Sequence, residues 1–236
     1  MNRTIVITGA SKGIGRAAAD VLVEQGWSVI GVARNSPGSF PGVFIRADLA
    51  DQEKTGVLAK GLAARGDVLG IVNNVGVSKH EAFDSVEIDD FATIMDLNVR
   101  PALQLTRALL PGMRTMRFGR IINVTSLVTR GFAFRSSYAA AKAALESLTR
   151  TMAVELAADG ITANAIAPGP TETELFRANN PQNSEGEGRY LKRVPMKRLG
   201  QPWEIAAAIA LLAGETAAFI TGQTLFVDGG ASLGSL

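Results

Sequence analysis

The chain has 236 residues, enough for a single large α/β domain with a substantial buried core. Its 24 basic and 22 acidic residues leave a net charge of +2 and are dispersed along the chain, which excludes the concentrated basic face of a nucleic-acid binder. With no cysteine and a single histidine, His80, it has neither a disulfide framework nor the ligand set of a zinc centre, so no metal site is expected.

The first apolar run, Thr4 to Ile7, begins directly after Met1-Asn2-Arg3 and leaves no room for a signal peptide. No apolar run reaches the length of a membrane span, so a soluble, cytoplasmic protein is expected. That first run is short and β-branched, the pattern of a strand buried on both faces of a parallel sheet. It leads into Thr8-Gly9-Ala10-Ser11-Lys12-Gly13-Ile14-Gly15, then a helical pattern from Arg16 to Gln25 closed by Gly26. Strand, glycine turn and helix in this order suit a dinucleotide. Glycines let the backbone approach a pyrophosphate, and free N–H groups at the helix start offer donors and partial positive charge. Gly9, Ser11, Lys12, Gly13, Ile14 and Gly15 are the candidate cradle. The Gly-Lys-Ser/Thr of a nucleotide-triphosphatase loop is missing.

Ser28 to Ala33 reads as the second strand. About 20 residues past the glycines, where an NAD enzyme places an acid for the ribose hydroxyls, stands Arg34. An arginine there can pair with a 2′-phosphate, helped by Lys12, so the expected cofactor is NADP(H); a solvated arginine at a strand end is the alternative. Val43 to Ala47 reads as a third strand ending at Asp48-Leu49, Gln52 to Ala64 as a helix, and Leu69 to Val72 as a fourth strand ending in Asn73-Asn74-Val75-Gly76. Strands and helices alternating at this spacing imply a doubly wound parallel sheet with ligand at the carboxyl ends of its strands, near Asn73, Asn74 and Gly76. Phe91 to Leu97 and Pro101 to Met113 are helical in pattern, with Asn98 at the seam, and Gly119 to Ser126 is a fifth strand that delivers Ser126 to the same edge.

A helix from Ser136 to Ala158 carries Tyr138-Ala139-Ala140-Ala141-Lys142, whose spacing puts the phenol and the ammonium on one face. A free tyrosine titrates near ~10, and a fixed positive charge beside it is expected to pull that value down. Ile161 to Ala167 is a sixth strand ending at Pro168-Gly169. From Thr171 to Pro195 the composition turns polar and rich in Asn, Gly and Glu, the pattern of a long loop at a functional site or of plain disorder between motifs. Arg189, Lys192, Arg193, Lys197 and Arg198 at its far end read as a solvated helix face, or as a lure for an anionic substrate. A helix starts at Pro202, and Leu225 to Val227 is the seventh strand.

Over essentially its whole length the chain resembles the short-chain dehydrogenase/reductase family. The matching pieces are Thr8-Gly9 with Gly13 and Gly15, Asn73-Asn74-Val75-Gly76, Asn98, Ser126, Tyr138 with Lys142, Pro168-Gly169 with Thr173, and the tail from Ile220-Thr221-Gly222-Gln223 to Val227-Asp228-Gly229-Gly230. Val75 replaces the family's usual alanine, and Ser126 stands one position closer to Tyr138 than usual, which keeps Thr125 as a weaker candidate. The resemblance implies one Rossmann domain over residues 1–236, with seven strands, helices on both faces and a mobile lid at about 171–195. It implies hydride exchange between NADPH and a carbonyl or alcohol carbon, with Tyr138 as general acid, Ser126 bonding the substrate oxygen, Lys142 lowering the phenol's pKa and holding the nicotinamide ribose, and Asn98 anchoring a water. Cofactor contacts would include Asp48, Leu49, Asn74, Val75, Gly76, Tyr138, Lys142, Pro168, Gly169, Thr171 and Thr173 beside the cradle and Arg34. Within the family the chain looks most like the 3-oxoacyl-[acyl-carrier-protein] reductases. Arg117 fits the first of two carrier-docking cations, but Asp159 stands at the second, so a reductase for another small ketone or alcohol competes. A non-catalytic NADPH sensor on the same fold is the reading from a different class. By family habit the assembly is a homotetramer or a homodimer, joined by the helices near Asn98 and Ser136 and the last strand.

Overall fold

A computed structural model of the protein describes residues 3–234. The strands are β1 (Thr4–Thr8), β2 (Ser28–Ala33), β3 (Val43–Arg46), β4 (Val68–Asn73), β5 (Gly119–Val124), β6 (Ile161–Pro168) and β7 (Thr224–Val227). They form one sheet in the order β3-β2-β1-β4-β5-β6-β7, every neighbouring pair parallel. The chain winds outward from β1 through β2 to β3, then returns to the other side of β1 to lay down β4. That reversal opens a crevice above the carboxyl ends of β1 and β4. The inner strands β1, β4, β5 and β6 are buried along their whole length, which explains why they read as continuous apolar runs rather than as alternating ones.

Helices α1 (Gly13–Glu24) and α7 (Pro202–Ala213) pack on each other, while α2 (Gln52–Ala64), α3 (Ile88–Met116) and α4 (Ser136–Leu156) pack side by side. Right-handed crossovers from β1 to β2 and from β4 to β5 run in opposite directions, which places α1 and α3 on opposite faces of the sheet.

Asn98 marks no seam: α3 runs unbroken through it and through Pro101 and Pro111. Pro101 removes the donor that would serve the Leu97 carbonyl, but packing against α2 and α4 holds the helix across that one lost bond. The stretch 171–195 is not a plain loop. It forms α5 (Glu174–Asn179) and α6 (Glu185–Arg193), with Thr173 and Ser184 as their caps through side-chain oxygens that accept from Phe176 N and Glu187 N. Arg177 on α5 joins the two by bonding Glu172 and, at 2.8 Å, Glu187.

Below the crevice a buried polar chain ties the sheet to α3 and α4. Asn73 Nδ2 donates to Asn123 Oδ1 at 2.8 Å and to Thr106 Oγ1 at 3.2 Å, and Asn123 Nδ2 donates to Thr149 Oγ1 at 2.8 Å. Asn73 therefore faces the interior rather than the crevice, contrary to expectation, because successive side chains of β4 alternate between faces.

Candidate active site

The crevice is a cleft of about 370 Å³. At one end lies the glycine turn after β1. Gly9 adopts φ +67, and a Cβ on Gly15 would stand 2.4 Å from the Gly9 carbonyl oxygen, so this turn closes only without side chains at those positions. Asn74 clamps it: its Nδ2 donates to the carbonyls of Thr8 (3.0 Å) and Gly9 (3.2 Å), and Thr8 Oγ1 accepts from the N–H groups of Asn74 and Val75. Ser11, Lys12, Gly13 and Ile14 face the cleft, while Gly15 lies beneath the turn and supports it.

Arg34 lines the same end and is exposed, and its carbonyl accepts from Arg46 Nε at 3.4 Å. Among the described residues neither Arg34 nor Lys12 is ion-paired, so both charges are free for a phosphate. Arg46 was not legible as a neighbour because parallel pairing of β2 with β3 brings it there. Asp48 and Leu49 do not line the cleft. The Asp48 carboxylate accepts from Ala50 N at 3.0 Å, and Leu49 is buried in the core. The opposite wall is built from Pro168 and Gly169 at the end of β6 with Thr171 and Thr173 beyond it. Thr171 Oγ1 donates to the Gly169 carbonyl at 2.9 Å, which fixes this wall's backbone.

At the other end stand Ser126, Tyr138 and Lys142. Strand β5 stops at Val124. Thr125 is then pinned under β6, its N–H and hydroxyl both donating to the Ile166 carbonyl at 2.7 and 3.1 Å. Ser126 follows it and lines the cleft with Tyr138, its Oγ accepting from Val128 N at 3.3 Å. The shorter loop does not carry it away. Lys142, 2% exposed, donates to the Val124 carbonyl at 2.9 Å, with Nζ 5.6 Å from the Tyr138 ring centre.

The electrostatics differ from expectation. Burial is the largest influence on the phenol and raises its pKa, against the opposing effects of the nearby Ser126 hydroxyl and the Arg135 charge. Burial pushes Lys142 down to about 8. The ammonium is thus drawn toward neutrality rather than acidifying its neighbour, because it sits in the interior against a carbonyl with no carboxylate to hold its charge.

Asn98 lies beside the cleft rather than in its lining. Its Nδ2 donates to the carbonyls of Val77 (3.0 Å) and Ile94 (2.8 Å), while its buried Oδ1 has no partner among the described residues. A Cβ on Gly76 would stand 2.6 Å from that oxygen and 3.1 Å from Lys142 Nζ, so glycine there leaves the two groups facing a shared space.

Several residues without any motif complete the site. Arg135, just ahead of α4, donates to Ser78 Oγ at 2.9 Å and to the Tyr190 hydroxyl at 3.1 Å. Phe132 stacks on Tyr190 at 5.7 Å. Arg135 lies a single helical turn from Tyr138, which is the only sequence signal it gives.

A glycine cradle at a topological switch point, two free cations beside it and a tyrosine–serine pair above a buried lysine define a dinucleotide-dependent oxidoreductase. A family profile described as enoyl-(acyl carrier protein) reductase matches residues 9–232. The 3-oxoacyl-[acyl-carrier-protein] reductase FabG of Vibrio harveyi is 39% identical over 235 residues, 95% of each chain. A solved structure from Beutenbergia cavernae, described as an NAD(P)-dependent gluconate 5-dehydrogenase with bound NADP, is 32% identical with a TM-score of 0.91, covering 97% of this chain and 96% of that one. Another, from Agrobacterium tumefaciens, described as a 2-deoxy-D-gluconate 3-dehydrogenase with bound NADP, is 30% identical with a TM-score of 0.88, over 97% and 96% of the two chains. The chain belongs to the short-chain dehydrogenase/reductase family. It is an oxidoreductase whose cofactor is NADP, which its open cradle and unpaired Arg34 and Lys12 suit.

Proposed function

We propose that the enzyme reduces a substrate carbonyl to an alcohol with NADPH, and that 3-oxoacyl groups are among its substrates. The observation that carries this reading is that Ser126, Tyr138 and Lys142 stand together at one end of a cleft whose far end is the glycine cradle. NADPH, when bound, supplies the hydride. Tyr138 donates its proton to the oxygen that becomes the alcohol, and a phenol held in its protonated form by burial is suited to that direction. Ser126 donates a hydrogen bond to the same oxygen and stabilises its developing charge. Lys142, with a pKa of about 8, can return the proton to the phenolate near neutral pH. The unpartnered Asn98 Oδ1 beside it is placed to hold a water linking that ammonium to solvent. Lys142 would also hold the nicotinamide ribose, and the backbone at Pro168 and Gly169 with Thr171 and Thr173 would meet the carboxamide.

Carrier-bound delivery finds support in the relatives' names but less in the surface. Arg117 donates to the Ala158 carbonyl at 2.8 Å, and Asp159 is paired with Arg114 at 2.9 Å, so the two cations that an acidic carrier would meet are not assembled. This favours a second reading, in which the substrate is a free small ketone or alcohol. Helices α5 and α6 serve in either case as the lid, since Phe176 and Tyr190 reach from them into the cleft. Steady-state rates on acetoacetyl-carrier protein, acetoacetyl-coenzyme A and simple ketones decide between the two. A rate on the carrier conjugate at least tenfold above the others supports carrier delivery, and equal or lower rates support the second. A pure NADPH sensor would show tight NADPH binding and no turnover on any of them.

A further inference from the structure

The substrate end of the cleft holds a cation that the chemistry above leaves without an opposite charge. Arg135 spends two of a guanidinium's five N–H donors on neutral hydroxyls, those of Ser78 and Tyr190. Among the described residues it forms no ion pair. Among the described residues the one carboxylate lining the cleft, Glu174, lies at the other end, with Oε2 3.6 Å from where a Cβ on Gly13 would stand. Lys142 is turned to the Val124 carbonyl. Arg135 nonetheless sits close enough to the phenol for its charge to be felt there.

The guanidinium is also held still. Ser78 approaches from the segment after β4 and Tyr190 from α6, and Tyr190 is fixed in turn by Phe132, stacked with an interplanar angle of 8°. Glu81, whose backbone is bridged to that of Arg135, turns its carboxylate to Ser137 and forms no ion pair with the guanidinium, so this half-buried cation is left to be met by an incoming anion. A neutral donor would tether Tyr190 as well. What a fixed guanidinium adds is a planar fork that matches a carboxylate.

The geometry points to Arg135 as an anion-reading subsite that, on the free-ketone reading, favours a carbonyl substrate carrying a carboxylate: an oxo acid in reduction, the matching hydroxy acid in oxidation. This rests on the carbonyl-reduction reading, and the test separates the two. Binding of 3-hydroxybutyrate and of its methyl ester to the NADPH-loaded protein is followed by nicotinamide fluorescence, which needs no turnover. The same series is run on Arg135→Gln and Arg135→Lys, after each variant is shown to bind NADPH like the wild type. The wild type should bind the acid at least about tenfold more tightly than the ester, and Arg135→Gln should weaken the acid about 30-fold while leaving the ester within about threefold. Arg135→Lys, which keeps the charge and loses the fork, should fall between. With acetoacetate as substrate, the loss in Arg135→Gln should appear mainly in KM, with kcat changed by no more than about threefold through the lost charge near the phenol. An acid bound no better than its ester, or an equal loss for both in Arg135→Gln, overturns the proposal and leaves Arg135 as a tether for α6. If the acid is bound selectively but neither acetoacetate nor its ester is reduced, the subsite stands and the carbonyl-reduction reading fails.

Discussion

A serine and a threonine stand side by side after β5, and which hydroxyl serves the substrate is decided by hydrogen bonds rather than by spacing. Thr125 has spent its N–H and its hydroxyl on the Ile166 carbonyl, whereas Ser126 Oγ only accepts, from Val128 N at 3.3 Å, and so keeps its proton free at the cleft beside Tyr138. Ser126→Ala should therefore lower kcat about 10²-fold, the usual loss for one donor to a developing oxyanion, while Thr125→Ala should leave kcat within about threefold. The reverse pattern would exchange their roles. At the cradle end, Arg34→Asp should weaken NADPH about 30-fold and NADH far less, because only the former carries the phosphate that pairs with the guanidinium; equal effects on the two cofactors would place Arg34 outside that contact. The residues legible in the sequence are those whose spacing is fixed by one element: the glycine cradle on a strand–turn–helix and Tyr138 with Lys142 on one helical face. Arg135, Ser78 and Tyr190 were illegible because they converge from the start of α4, the segment after β4 and α6, and no interval in the chain records that meeting.

Elements explain both what could be read and what could not. The inner strands were visible because burial on two faces enforces apolar runs, and the half-exposed edge strands β3 and β7 because each keeps a short run of apolar residues. Helices α5 and α6 were hidden because their sequences are polar and short, and their stability comes from caps and the Arg177 ion pairs rather than from an apolar stripe. The helix carrying Tyr138 has a further support that only the structure discloses. Glu81, 5% exposed, accepts at Oε1 from the N–H of Ser137 at 3.2 Å and from its hydroxyl, so a carboxylate distant in sequence caps the turn that carries the phenol. Glu81→Ala should destabilise the protein by about 1–3 kcal/mol, lowering Tm by several degrees, and Glu81→Gln, which keeps an acceptor, should recover most of it. Thermal melts of the three proteins check this; an unchanged Tm in Glu81→Ala would show that the cap contributes nothing.

At the scale of the whole molecule, the buried lysine writes itself into the pH dependence of stability. Its pKa falls from 10.5 to about 8 on folding. Between those values the unfolded chain binds the proton that the folded chain has released, so stability rises with pH across that window. Tyr138 acts oppositely, since its raised pKa costs stability only above 10. Melting the cofactor-free protein between pH 8 and 10 should give a Tm that climbs relative to Lys142→Met; parallel curves would contradict the burial of an unpaired amine. Among the described residues no helix is long and apolar enough to cross a membrane. Leu103 on α3, Val154 on α4 and Leu225 on β7 leave apolar side chains exposed, the faces through which a homotetramer, or failing that a homodimer, is proposed to form. Light scattering should then give a mass near four times the 24.8 kDa chain, and a monomer would refute the assembly.

The most direct test replaces Tyr138 by phenylalanine, which keeps the ring and removes the proton. Rates of NADPH oxidation with a ketone substrate and NADPH affinity by fluorescence titration are measured on the same preparation. The expected result is a kcat lowered by about 10³-fold or more, with NADPH affinity within about threefold of the wild type. A Tyr138→Phe protein whose kcat stays within about tenfold of the wild type would contradict proton donation by this phenol.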